Sequence, residues 1–158
     1  MYNYAVLKKH IAGAIEKAKG IVDDEYIDPV KRGFEKLEEV INMMKAQMKD
    51  GKYMALVLNA TPLQQAFFPL ILVWLHLWSL TITMPRMKAI LGDTKGVERQ
   101  KMISENNEAA YYSGRVLSSQ FFIGSEFPKY FGVMECIMGN ELAALKAIPD
   151  NFTGALKE

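Results

Sequence analysis

Residues Tyr53–Pro85 read YMALVLNATPLQQAFFPLILVWLHLWSLTITMP, and no Asp, Glu, Lys or Arg stands among them. A run this long and apolar is either a bilayer span or the central helix of a soluble core. A span needs about 20 consecutive apolar residues, because hydrocarbon offers no partner for polar groups. Here Gln64, Gln65, Pro69, His76, Ser79, Thr81, Thr83 and Pro85 interrupt the run. The chain also has no second stretch of this kind. The reading is therefore a core helix, buried along most of its length, with Trp78 a large aromatic of the interior.

The flanking segments supply the rest of an all-α fold. Upstream, Tyr4 to Lys19 sets Leu7, Ile11, Ala14, Ile15 and Ala18 at helical spacing, with Asn3 as N-cap and Gly20 as stop. Asp28-Pro29 then places a capping side chain before a proline at the first helical position. From there Val30, Phe34, Leu37, Val40, Ile41, Met44 and Met48 line one face, and the helix runs to about Lys49 before Asp50-Gly51. Thr61-Pro62 repeats that grammar and opens the apolar helix, in which Pro69 and Pro85 are expected to bend the axis. Downstream, Gly92 to Gly96 is a loop, and a fourth segment starts at Val97 and passes Tyr111, Val116 and Phe122, weakened by Pro128 and Gly132. No stretch alternates as a strand would. The expectation is a bundle of four long antiparallel helices over residues 1–148, with a tail at 149–158.

Composition excludes several functions. A chain of 158 residues is about one domain. Its 19 basic and 18 acidic residues give no case for nucleic acid. The single Cys136 forbids an intrachain disulfide and fits a reducing, cytoplasmic setting; among Met134, Ile137 and Met138 it reads as a small core hydrophobe. The N-terminal residues lack the apolar region of a secretory signal, so Asn151-Phe152-Thr153 is a chance sequon.

Catalytic chemistry is equally hard to place. A di-iron bundle needs Glu-x-x-His pairs, and neither His10 nor His76 has an acidic residue three positions before it. The pairs Glu38-Glu39 and Glu105 with Glu108 lie in polar surroundings, as solvated faces do. Ser118-Ser119 has no histidine nearby in sequence. His76, between Trp74 and Trp78, is read as a buried or half-buried imidazole bonded to a neighbouring carbonyl or carboxylate. Two charges stand among apolar neighbours, Arg115 and Glu126, eleven residues apart and so nearly on one face if the helix is continuous. They are too far apart to pair with each other, and each is expected to find a partner on another element.

The stretch Ala110-Tyr111-Tyr112-Ser113-Gly114-Arg115, followed by Phe121-Phe122 and Pro128, resembles the extra C-terminal helical domain carried by a subset of acyl-CoA dehydrogenases, the acetyl-CoA dehydrogenase C-terminal-like domain. There a basic residue, a Phe-Phe pair and a proline six residues later share one helix. Asn59 to Leu63, followed by an apolar run with Trp74 and Trp78, is similar to the preceding helix of that domain. Gln120 departs from the pattern, where Arg often stands, as do the bulky Leu75 and Leu77.

The resemblance implies a structural or subunit-interface domain of an FAD-dependent acyl-CoA dehydrogenase, an oxidoreductase and flavoprotein of fatty acid metabolism. In such a parent a carboxylate removes the α-proton of an acyl-CoA thioester and flavin N5 accepts hydride. Those parts belong to preceding domains, so the resemblance assigns no catalytic, flavin-binding or metal-binding residue here and no cofactor to this chain. It implies dehydrogenase core domains or a second subunit as partner, in a homo-oligomer. Arg115, Glu126, His76, Trp74, Trp78, Phe121, Phe122 and Pro128 are the candidate structural or interface residues. The alternative reading is a membrane-surface or lipid-binding helical bundle, for which ten Met and the aromatic cluster would supply an adaptable apolar surface.

Overall fold

The structure is a computed structural model that describes residues 2–153, with Tyr2 and Asn3 described by their backbone alone. Helix α1 spans Tyr2–Ala18, α2 Asp24–Lys49, α3 Tyr53–Leu58, α4 Ala60–Leu91, α5 Gly96–Glu105, α6 Asn107–Phe121 and α7 Lys129–Gly139. A π-turn, Phe122–Glu126, joins α6 towards α7; a 3₁₀ turn, Ala143–Lys146, and a last turn, α8 at Asp150–Thr153, follow. Among the described residues there is no strand. Of the expected tail, residues 154–158 lie outside the described residues.

Local sequence explains most boundaries and corrects several expectations. Gly20, at φ +75°, closes α1 in the left-handed region that glycine adopts without strain. Helix α1 begins at Tyr2, so Asn3 lies inside it instead of capping it. Helix α2 begins at Asp24, behind Asp23, and Pro29 falls inside it. Asp24 and Glu25 in its first turn complement the helix dipole, and that favours the earlier start. Asn106 divides the fourth segment. Its backbone is extended, and its side chain accepts hydrogen bonds from the backbone N–H of Glu108 (2.9 Å) and Ala109 (3.1 Å), which makes it the N-cap of α6.

The core lies on one side of α4. Ala66, Leu70, Val73, Leu77 and Leu80 recur at helical spacing and are fully buried against Val30, Leu37 and Val40 of α2, Ile123 and Phe127 of the π-turn region, and Met134 and Ile137 of α7. Helices α1, α2, α6 and α7 all contact α4. On α6 the buried positions are Ala109, Ser113, Val116 and Ser119, mostly small side chains that let the two helices approach closely.

The opposite side of α4 overturns an expectation. Helix α4 is long and apolar enough to cross a membrane by length and composition, but only 33% of its most apolar window is buried. Phe68, Leu72, Leu75, Trp78 and Ile82 are exposed, Trp78 by 49%. The helix is therefore not buried along most of its length, and Trp78 is not an interior residue. A helix apolar all round needs neighbours all round, and here they cover one side. Cys136 is likewise exposed on α7 and is no part of the core.

Candidate interaction surface

Phe68, Leu72, Leu75, Trp78 and Ile82 follow one another by four, three, three and four residues, which places them on one helical face. They form an apolar ridge along α4. A groove of about 650 Å³ lies between the ridge and α1, lined by Val6, Lys9, His10, Lys17 and Trp74. A second groove, of about 440 Å³, lies between the ridge and α6, where Tyr111, Tyr112 and Arg115 face Ser79 and Ile82. Leu75 and Trp78 line both grooves and so make the crest between them.

Each candidate residue can be placed against this ridge. Arg115 is exposed on the rim of the α6 groove, and its Nη2 donates to Ser79 Oγ of α4 at 3.4 Å, without a carboxylate partner. Glu126 finds its partner close by in sequence: it pairs with Lys129, three residues on at the start of α7, at 2.8 Å. The common face expected for Arg115 and Glu126 is broken by the π-turn between them, in which Phe127 N–H donates to the Phe122 carbonyl at 2.8 Å. One extra residue in a turn shifts the helical phase by about 100°.

His76 sits on the half-buried flank of α4. Its ring stacks on Phe122, with centroids 4.5 Å apart, and its Nδ1 shares a hydrogen bond with Ser119 Oγ at 3.1 Å. Burial, and secondarily the positive charge of Arg115, lower the pKa of His76 below its ordinary value of 6.5. Ser119, which has no histidine near it in sequence, thus meets one in space. The hydroxyl is fully buried, and no acidic residue among the described ones bonds to the imidazole. The pair ties α6 to α4.

The aromatic candidates divide. Trp74 is half-buried beside His10, ring centroids 6.5 Å apart, and its indole N–H is buried without an acceptor among the described residues. Phe121 is 61% exposed, whereas Phe122 is held by the His76 stack. Pro128 is exposed and precedes the first residue of α7. The aromatic that anchors this region is Phe127, fully buried and edge-to-face with Phe131 at 5.4 Å. Sequence reasoning passed over it, and it passed over Phe68, Leu72 and Ile82 on the ridge. The ridge spacing was present in the sequence, but the buried stripe has the same period, and nothing in the residue types says which stripe is covered. Among the described residues no group of three or more His, Cys, Asp and Glu is placed to hold a metal ion.

Comparison with known proteins adds one finding. The family described as acetyl-CoA dehydrogenase C-terminal like matches residues 7–147, from the first turns of α1 to the 3₁₀ turn beyond α7. No curated protein and no solved structure matches the chain.

Proposed function

The chain belongs to the acetyl-CoA dehydrogenase C-terminal-like family, and from that membership we propose that it serves as the helical domain of an acyl-CoA dehydrogenase-like flavoprotein, with a structural or interface role and no chemistry of its own. In this reading α1, α2, α4 and the divided α6–α7 segment act as four antiparallel passes of one bundle, and the bundle covers the dehydrogenase core domains or a second subunit. The observation that carries the role is the apolar ridge of α4. Five large side chains exposed along one helix face form the kind of surface that marks a protein contact.

In this proposal the grooves beside the ridge hold no flavin dinucleotide. Their lining contains no glycine-rich turn, and their cations stand on opposite rims, Lys9 and Lys17 on α1 and Arg115 on α6, which supports that reading. FAD and the acyl-CoA thioester therefore belong to the partner domains in this proposal, and the setting is cytoplasmic.

The test is association with a recombinant acyl-CoA dehydrogenase core that lacks a C-terminal helical domain, measured by calorimetry. The expected result is binding that Leu75→Asp abolishes, with a purified chain that is colourless and inactive on acyl-CoA. A stoichiometric flavin absorbance, or turnover by the chain alone, would overturn the proposal.

A further inference from the structure

The ridge has a one-sided electrostatic frame. Lys9, His10 and Lys17 stand on the α1 rim and Arg115 on the α6 rim, and no carboxylate lines either groove. None of these three permanent cations joins an ion pair among the described residues, although Lys8, Lys19, Lys36, Lys52, Lys101 and Lys129 all do elsewhere. Glu108, two turns before Arg115 on α6, does not line the groove. The apolar crest is thus bordered on both long sides by positive charge that no carboxylate among the described residues pairs with.

Resting on the interface reading above, we propose that the ridge receives a partner helix whose apolar stripe is edged with Asp and Glu, and not a second copy of this chain. The geometry is that of one helix packed on the exposed face of another: apolar side chains at i, i+3, i+4 and i+7 straddle the crest of Leu75 and Trp78, and flanking carboxylates reach the two rims. Charge-assisted pairs at the edge of an apolar contact favour this partner and set its register.

A second copy fails on sign. A two-fold axis running along α4 brings the α1 rim of one copy opposite the α6 rim of the other. A two-fold axis across α4 brings like rims together. In both arrangements Lys9, Lys17 and Arg115 meet only positive charge, which costs affinity in place of adding it. An oligomer of this chain, where one forms, uses another face.

The test is a displayed library of amphipathic helical peptides, apolar at i, i+3, i+4 and i+7 and random at the flanking positions, selected against the full chain. The expected result is enrichment of Asp and Glu at the flanks. Selected peptides should bind at least tenfold more weakly to the Lys9→Glu/Arg115→Glu variant and lose binding to Ile82→Asp, with helix content of both variants unchanged by circular dichroism. Binders sensitive to Ile82→Asp whose flanks are neutral or basic overturn the charge inference and leave the interface reading standing. Binders insensitive to both Ile82→Asp and Leu72→Asp overturn the interface reading itself. A library without binders above background also counts against the proposal. So does a dimer in sedimentation that Leu75→Asp dissociates, which assigns the ridge to a second copy. A Trp emission blue shift on phosphatidylglycerol vesicles that Ile82→Asp abolishes assigns it to a membrane.

Discussion

A methyl group added to Gly33 would run into the Phe127 ring, with Cε1 2.9 Å away, and would lie 3.0 Å from Leu70 Cδ2. Neither neighbour has room to yield, since both are fully buried and Phe127 is wedged against Phe131. Alanine gains about 1 kcal/mol over glycine in an exposed helix. Overpacking costs about 1–3 kcal/mol. Gly33→Ala should therefore destabilise the fold by up to about 2 kcal/mol, read from the shift of the urea midpoint. His76 gives a pH signature of known sign. Its pKa is lower in the folded chain, so the unfolded chain binds more protons below about 6.5. The contribution of His76 to stability is complete above that value and is lost as pH falls through it towards the folded pKa. The urea midpoint should drop between pH 7.5 and pH 5.5, and His76→Gln should remove part of that drop. Arg115→Met should cost the fold less than about 1 kcal/mol, because its one hydrogen bond is exposed. It should also move the His76 pKa upward, measurable by NMR titration of the imidazole. At this scale the sequence was a partial guide. The half-buried state of His76 was legible, but its partner was not: Ser119 Oγ stands where a carbonyl or carboxylate is expected. The exposure of Arg115 and Cys136 was not legible, since it depends on which helices stand beside α6 and α7.

Helix α4 was the most legible element and also the most misleading one. Its existence and its start near Thr61-Pro62 follow from apolar content and capping grammar, and it continues through Pro69 and Pro85. Its burial does not follow, because both of its long faces are apolar and only one has neighbours. Adjacent residues expose the difference: Leu77 is fully buried, and Trp78 is 49% exposed. Leu77→Ala should cost about 2–5 kcal/mol. Trp78→Ala should cost only about 0.75–1.5 kcal/mol, half the value of a fully buried large side chain. Paired denaturation curves that reverse this order would return Trp78 to the core. The nearly unbroken apolar spacing of the fourth segment predicts one helix. Asn106 and the π-turn divide it by backbone hydrogen bonding, to which hydrophobic periodicity is blind.

The whole molecule is an all-helical member of its family, and both facts could be drawn from the chain: the first from the absence of strand alternation, the second from Arg115, Phe121-Phe122 and Pro128 in order. What the molecule presents to others could not be drawn from it, because a surface is defined by what the rest of the fold leaves uncovered. The π-turn at Phe122–Glu126 has a consequence for sequence length. A wide turn holds one residue more than an α-turn while the helices on either side keep their directions. Removing a residue there, such as the exposed Ser125, should tighten the turn to an ordinary one and leave Phe127 facing Gly33. Deleting a residue from the middle of α4 instead rotates every later side chain by about 100°. The melting temperature should therefore fall far less for the Ser125 deletion than for a deletion at Ser79. The turn is thus the place where this chain is expected to lose a residue with the interior undisturbed.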